Sequence, residues 1–298
     1  MQAEKSKGNA VEEVTVKKYK HYLQLLKFRL SAFVVLSGAL GFFAGSKGDI
    51  HWLNLAALTL GSFLVTGAAN TINQIIEKDL DKMMKRTQNR PLPIGALAVR
   101  EAVFYTLFLA IAGSLLLYFT VGFSATWLSL LSLFLYGFVY TPLKQISPIS
   151  VFVGAFPGAL PPLIGYVAAS GDFSLEGGLL FMIQFVWQFP HFWAIAWLGD
   201  EDYKKAGFRM LPYGEKNIET AVQITVYTIF LIPVGLTPWY FGFSGVISAV
   251  IATLCGILFV GQAFHLLKTR TNDAALKLMF GSFFYLPVVL TAVLLDKI

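Results

Sequence analysis

The sequence predicts an all-α integral membrane protein in which nine transmembrane helices form one bundle, with two acidic-motif loops on the cytoplasmic side. Three observations support this fold class: the composition, the spacing of the charged residues, and the distribution of lysine and arginine among the loops. Of the 298 residues, 56% are hydrophobic and 13% are charged, and the mean hydropathy is +0.65. Soluble globular domains carry about 25% charged residues, so this composition excludes a soluble enzyme of comparable length.

Long stretches of the chain contain no Asp, Glu, Lys or Arg. They are Leu30–Ser46, Ile50–Ile76, Ala102–Leu143, Gln145–Gly171, Gly177–Gly199, Thr220–Leu267 and Leu278–Leu295. A helix needs ~20 apolar residues to cross a bilayer, so the third and sixth stretches hold two helices each. Their turns are predicted near Val121–Ser124 and Thr237–Gly245. The spans must be helices, because a lone apolar strand cannot satisfy its backbone hydrogen bonds in lipid.

Lysine and arginine concentrate in the loops on one side of these spans. If the N-terminus is cytoplasmic, only Lys47 and Lys297 of the 23 basic residues fall on the other side. The positive-inside rule therefore predicts a cytoplasmic N-terminus and an outside C-terminus, and it accounts for the net charge of +6 without a nucleic-acid partner. The polar first residues lack the apolar core of a signal peptide, which favours a bacterial inner (plasma) membrane. We expect a flexible cytoplasmic tail over 1–21 and a single nine-helix domain over 22–298.

The loop after the second span carries the strongest functional signal. Asn73, Glu77 and Asp81 are spaced four apart, which places them along one face of a helix, and Arg86 and Arg90 repeat that spacing. Carboxylate and amide oxygens suit Mg²⁺, and guanidinium groups suit phosphate oxygens. The loop predicts a site for a magnesium-bound diphosphate at a wet cytoplasmic mouth. On composition alone, a solvated loop with incidental charges is the alternative.

Other candidate residues lie on the same predicted side. Asp202 belongs to a second loop, 200–212, which is also acidic first and basic after. Tyr140 and Lys144 are one turn apart at the end of span four, where Lys144 is either a site residue or a marker of topology. Lys27 and Arg29 at the edge of span one are either interface anchors or substrate contacts.

A histidine lies well inside the sixth span. His191 follows Pro190 and stands between tryptophans at 187 and 193. Polar groups at this depth usually mark a site, although a hydrogen bond to a neighbouring helix is the alternative. The single cysteine, Cys255, is predicted to pack in the core.

Charged loops above an apolar, aromatic bundle suit a ligand with an anionic head and a hydrocarbon tail. A prenyl diphosphate has both parts. Magnesium and arginine would stabilise the departing diphosphate, and aromatic faces could shelter an allylic cation.

The motifs resemble those of the UbiA-type intramembrane prenyltransferases. The first loop, continuing to Arg86-Thr87-x-Asn89-Arg90-Pro91-Leu92-Pro93, is similar to their first aspartate-rich motif. The similarity is greatest to the haem-farnesylating branch of the superfamily, and it extends from about residue 22 onwards. The segments that carry it are Trp187-Gln-Phe-Pro190-His191, Asp202-Tyr203, Tyr140-Thr141 and Pro161-Pro162-x-x-Gly165-Tyr166. The second motif often reads Asp-x-x-x-Asp, whereas here Leu198 stands four residues before Asp202.

This resemblance implies a Mg²⁺-dependent transfer of the farnesyl group of farnesyl diphosphate to the vinyl group of protohaem IX (haem B), with water supplying the hydroxyl group of haem O. It implies metal-diphosphate positions at Asn73, Glu77, Asp81 and Asp202. It also implies diphosphate contacts at Arg86, Arg90, Tyr140 and Lys144. We expect Asn73, Glu77, Asp81, Asp202, Tyr140 and Lys144 to be catalytic. We further hypothesise that His191 holds haem, and we expect downstream haem-processing or terminal-oxidase assembly proteins as partners.

Two other functions fit parts of the pattern. The first is a prenyltransferase of the same superfamily that acts on an aromatic quinone or chlorophyll precursor. The second is a membrane carrier without chemistry. Acidic loops confined to one face disfavour the carrier, because transporters usually place ion sites near the bilayer midplane.

Overall fold

The computed structural model describes residues 18–298, and within this range nine helices are long and apolar enough to cross a membrane, as predicted. We number them α1 to α9. They are α1 Phe28–Gly45, α2 Trp52–Ile76, α3 Val99–Val121, α4 Phe123–Ile146, α5 Ser150–Ser170, α6 Leu175–Leu198, α7 Ile218–Tyr240, α8 Val246–Thr269 and α9 Asn272–Leu295.

The predicted flexible tail lies mostly outside the described residues. Its last part, 18–21, belongs to a short helix over 18–25 that precedes α1. The remaining helices within 18–298 are short and lie in the charged loops, at Lys78–Asp81 and Asp200–Lys205.

Both turns predicted inside the long uncharged stretches are present. Gly122 alone separates α3 from α4, at a φ of 89° that favours glycine. The second turn runs from the end of α7 at Tyr240 to the start of α8 at Val246. Both turns could therefore be predicted, because one span can use only a limited length of apolar sequence.

Large apolar side chains cover the outside of the bundle. On α3, for example, Phe104, Phe108 and Ile111 follow one helical face and are each more than half exposed. Such a surface would be unusual on a soluble protein, and it is what a helix facing lipid requires.

Glycines let α1 and α5 pack backbone against backbone. A β-carbon added to Gly165 would lie 1.8 Å from the carbonyl oxygen of Gly38, and one added to Gly41 would lie 2.0 Å from that of Pro162. Small residues are the usual means of close helix association in membranes. This contact fixes the position of α1 beside the cavity described below.

The consecutive prolines of α5 remove two backbone donors, and polar side chains of neighbouring helices replace them. Ser132 Oγ of α4 donates to the carbonyl oxygen four residues before Pro161, at 3.1 Å. Gln184 Nε2 of α6 donates to the one four residues before Pro162, at 2.7 Å. In a membrane these carbonyl groups need protein partners, so the prolines tie α5 to both helices.

Candidate active site

The two charged loops meet at one end of the bundle, which confirms the prediction that they share a side. The backbone N–H of Arg86 in the first loop donates to Asp202 Oδ2 in the second, at 3.4 Å. Arg86 Nη2 donates to the hydroxyl of Tyr203 at 3.0 Å, and the guanidinium lies 5.0 Å from the centre of the same ring. Residues distant in sequence therefore form one continuous site.

Asn73, Glu77 and Asp81 lie along one helical face, as predicted, although α2 ends at Ile76. The backbone N–H of Glu77 donates to Asn73 O at 3.0 Å, and that of Asp81 donates to Glu77 O at 2.7 Å. The break at Glu77 leads into the short helix Lys78–Asp81. Helical hydrogen bonding thus holds the three side chains in register across the break.

The two acidic side chains of this face, Glu77 and Asp81, form buried ion pairs. Arg90 Nη1 donates to both carboxylate oxygens of Asp81, at 2.9 and 2.8 Å, and Lys144 pairs with Glu77. Asp81 is 0% exposed, Glu77 4% and Lys144 7%. The expectation of a wet mouth was therefore wrong for this part of the site. The first loop folds over it, and buried carboxylates must then be compensated by nearby cations.

Lys27 lies on the opposite wall of the same site. Its amine donates to Asn73 Oδ1 at 2.9 Å, and Asn73 Nδ2 donates to Thr141 Oγ1 at 3.2 Å. Withdrawal from water, together with the positive charges of Arg90 and Lys144, lowers the pKa of Lys27 to about 7. Its φ of 48° is unusual for a residue with a side chain, and strain of this kind concentrates at functional sites.

The structure does not bring Arg29 to the same place. It is exposed, and its side chain makes no hydrogen bond or ion pair with any other residue in 18–298. Lys27, not Arg29, is the member of this pair that reaches the site.

A π-helical turn shapes the floor of the charged site. It spans Leu135–Tyr140 within α4, and π-turns of this kind are frequent at functional sites. Tyr136 and Tyr140 lie four apart with ring centroids separated by 5.4 Å. The Lys144 amine stands 5.0 Å from the Tyr140 ring. Two aromatic faces thus lie directly below the cationic and acidic groups.

An apolar cavity of about 170 Å³ continues from these tyrosines into the bundle. Its lining comes from α1, α2, α4, α5 and α6 and includes Leu30, Val34, Val65, Asn70, Ser129, Leu133, Tyr136, Tyr140, Ile164 and Phe192. On α4, Ser129 precedes Tyr140 by eleven residues, so it lies about 16 Å deeper in the bundle. The charged site therefore opens onto a deep apolar space, as an amphiphilic ligand requires.

His191 lies apart from the charged loops, in the middle of α6. It is 6% exposed, and its Nδ1 is 2.6 Å from Ser282 Oγ of α9. The ring stacks on Trp187 with centroids 4.5 Å apart. The other predicted site residues thus form one cluster around Asn73, Glu77 and Asp81, with His191 and the exposed Arg29 as separate positions.

The donor chemistry of the cluster fits a magnesium ion. The predicted ligands offer only oxygen atoms, from the Asn73 amide and the carboxylates of Glu77, Asp81 and Asp202. Within the described range, no three His, Cys, Asp or Glu side chains are close enough to form a metal site by themselves. Mg²⁺ usually takes one or two carboxylates and completes its shell with substrate phosphates and water, so a dispersed oxygen set is compatible with a metal that arrives with its substrate.

Several residues that the sequence did not single out contribute to the charged site or to the position of His191. Thr141 orients the Asn73 amide, and Tyr136 lines the cavity one turn from Tyr140. The spacing of the two tyrosines was a usable signal. Ser282 had none, because an isolated serine in an apolar span is common and its contact with α6 depends on the packing of distant helices.

The family model for the UbiA prenyltransferase family matches residues 34–286. A protein of Cytophaga hutchinsonii named protoheme IX farnesyltransferase is 50% identical over 281 residues, covering 94% of this chain and 98% of that protein. A protein of the same name from Christiangramia forsetii is 45% identical over 281 residues, covering 93% of each.

Solved structures share the fold at low sequence identity. A digeranylgeranylglyceryl phosphate synthase structure gives a TM-score of 0.78 at 22% identity, covering 94% of this chain and 98% of the other. A UbiA homologue from Archaeoglobus fulgidus bound to GPP and Mg²⁺ gives a TM-score of 0.61 at 18% identity, covering 92% and 99%.

Proposed function

Because the chain belongs to the UbiA prenyltransferase family, we propose that it transfers the farnesyl group of farnesyl diphosphate to the vinyl group of haem B, giving haem O. The observation that carries this function is the charged site built from two loops directly above an apolar cavity. The identity of the acceptor is supported by the named relatives, which match almost the whole chain.

We propose that the chain's cations hold the diphosphate. Three cations contact the acidic face, namely Lys27, Arg90 and Lys144. Arg86 lies beside Asp202 and Tyr203 of the second loop. In the structure, Arg90 pairs with Asp81 and Lys144 pairs with Glu77. Both cations become available to phosphate oxygens when the carboxylates gain another positive partner.

The metal ligands in this proposal are Asn73, Glu77, Asp81 and Asp202. When bound, Mg²⁺ would neutralise the diphosphate and stabilise it as a leaving group. The chain itself holds these oxygens in place through the helical register below and the Arg86–Asp202 contact above. It also excludes bulk water, because Asp81 and Glu77 are buried.

The reaction breaks the C–O bond between farnesyl C1 and the diphosphate and forms a bond from C1 to the terminal carbon of the vinyl group. Water adds its hydroxyl to the other vinyl carbon and releases a proton. Tyr136 and Tyr140 line the top of the cavity, where their ring faces can stabilise positive charge that develops on the allylic carbon. His191, on the neighbouring α6, is proposed to hold the haem acceptor.

An acceptor assay with the purified full chain tests this function. With farnesyl diphosphate and Mg²⁺, haem B should yield a farnesylated product, and 4-hydroxybenzoate should not. Removing divalent ions with a chelator should abolish turnover. Prenylation of hydroxybenzoate instead of haem would favour the quinone-type alternative. Binding of farnesyl diphosphate without prenylation of either acceptor and without release of diphosphate would argue for a carrier.

The membrane placement is part of the same proposal. We propose a bacterial inner membrane with the N-terminus and both charged loops cytoplasmic and the C-terminus outside, as the lysine and arginine distribution favours. Residues 22–298 form the catalytic domain and 1–21 the cytoplasmic tail. The product would pass to downstream haem-processing or terminal-oxidase assembly proteins.

Replacing Arg86 should weaken binding of farnesyl diphosphate. Arg86→Ala should raise the KM for this substrate about 10-fold, since a charge-assisted contact is lost. Arg86→Lys should recover only part, because a planar fork becomes a point charge. Lys85→Ala, at the exposed neighbouring position, should have no effect. Tyr203→Phe keeps the ring but removes the hydroxyl bonded to Arg86. If Tyr203→Phe reproduced the whole loss, the role of Arg86 would be to hold the two loops together, and it would not be a phosphate ligand.

Filling the deep end of the cavity should change the preferred prenyl length. Ser129→Phe should lower kcat/KM for farnesyl diphosphate about 10-fold relative to geranyl diphosphate, because the larger side chain occupies space needed by the last isoprene unit. Steady-state kinetics with both donors measures this ratio. Leu130→Phe, at the adjacent exposed position on α4, is the control and should leave the ratio unchanged. An equal loss with both donors would place the tail elsewhere.

A further inference from the structure

The hydrogen bonds around His191 define which ring nitrogen is free. Nδ1 lies 2.6 Å from Ser282 Oγ, and the same hydroxyl donates to Met279 O on its own helix. A serine hydroxyl has one proton. With that proton directed to Met279, Ser282 must accept at His191, so Nδ1 carries the ring proton.

A neutral imidazole protonated at Nδ1 has a lone pair on Nε2. Nε2 has no hydrogen-bond partner among residues 18–298. Nε2 is also not fully buried, because it is not one of the unpaired side-chain atoms in that range that are closed off from solvent. Nε2 therefore retains some open space and an unused acceptor, which a histidine serving only to link two helices would not require.

Aromatic side chains pack against the His191 ring. Trp187 stacks on one face at 16° between planes, and its Nε1 donates to the backbone oxygen of Ser282 at 2.8 Å. Phe283 meets the ring edge at 4.8 Å between centroids, and Phe33 of α1 lies 5.8 Å from Phe283. Flat apolar surfaces with a single polar atom are typical of a site for a planar, largely hydrophobic ligand.

We propose that Ser282 is a positioning residue that fixes the Nδ1–H tautomer of His191, so that Nε2 binds the iron of the haem acceptor. Metal-binding histidines generally donate their other ring N–H to a partner that sets tautomer and orientation, and loss of that partner typically costs 10–100-fold in affinity. The inference rests on the proposed function, since it assumes that haem is the acceptor. It goes further by assigning the iron-binding atom and the residue that prepares it.

Haem titration of the purified full chain tests this assignment by absorption and resonance Raman spectroscopy. Wild type should show an iron–histidine signature, and His191→Ala should lose it. Ser282→Ala should weaken haem binding about 10-fold and broaden or shift that signature. Ser282→Thr should restore both, because it keeps the hydroxyl. The Trp187 contact survives Ser282→Ala, since it uses the backbone.

Thr228→Ala is the matched control. Its hydroxyl is buried, and among residues 18–298 it bonds only to Ile224 O in its own helix, so its loss should leave the haem spectrum unchanged. Farnesyl diphosphate binding and Tm in detergent report whether each variant is folded. If His191→Ala fails these checks, His191→Gln gives a second test and should also lose the signature.

The outcomes separate this inference from the proposed function. If wild type turns over haem but His191→Ala or Ser282→Ala keeps the wild-type spectrum and affinity, the iron assignment is overturned and the function stands. If wild type neither binds haem nor farnesylates it, both are overturned.

Discussion

Asp81→Asn should reduce farnesyl transfer by about 100-fold or more while the protein still folds. Asparagine has nearly the same shape and can still accept a hydrogen bond from Arg90, which donates to both Asp81 oxygens. It has no negative charge, so it binds a divalent ion poorly and leaves Arg90 uncompensated. Turnover with saturating haem B, measured across a Mg²⁺ titration, checks this. The apparent requirement for Mg²⁺ should rise together with the loss of rate.

Asp79 provides a control on the same short helix. It is exposed and pairs with Lys82 at 2.9 Å, outside the enclosed site. Asp79→Asn should therefore leave turnover and Mg²⁺ dependence unchanged. Asp81→Asn activity within a few-fold of wild type, with normal Mg²⁺ dependence, would remove Asp81 from the metal site.

The helices could be predicted from sequence because lipid restricts the choices. An uncharged stretch in a bilayer must be a helix of nearly fixed length, so charge spacing alone located the spans and the turn at Gly122. The close contact of α1 with α5 could not be predicted in this way. Gly38, Gly41 and Gly165 are compatible with many helix pairs, and only the assembled bundle selects one.

The site was predictable in composition but not in its internal pairing. Spacing correctly placed Asn73, Glu77 and Asp81 along one face, because helical hydrogen bonds continue through the break. The pairing of Arg90 with Asp81 depends on the path of loop 82–97 back towards the end of the short helix. No periodic sequence pattern predicts the path of such a loop. Lys27 reaches Asn73 through a backbone conformation with a positive φ, which sequence patterns do not reveal for a lysine.

The buried pair between Glu77 and Lys144 allows stability and catalysis to be measured separately. Lys144→Met should lower the free energy of unfolding by about 3–5 kcal/mol, because it leaves a carboxylate buried without its partner. The double variant Glu77→Gln with Lys144→Met removes both charges and should regain most of that stability. It should not regain turnover, since both a proposed metal ligand and a proposed phosphate contact are missing. Thermal unfolding in detergent and farnesyl transfer are measured on the same preparations.

Lys277→Met tests whether the loss is specific to the enclosed pair. Lys277 pairs with Asp273 on α9, where both side chains are more than half exposed, and exposed pairs contribute only about 0–1 kcal/mol. Its effect on Tm should be correspondingly small. If the Glu77–Lys144 double variant recovered activity along with stability, the pair would serve only the fold. If it recovered stability alone, the two charges would be kept at this buried position because the substrate requires them.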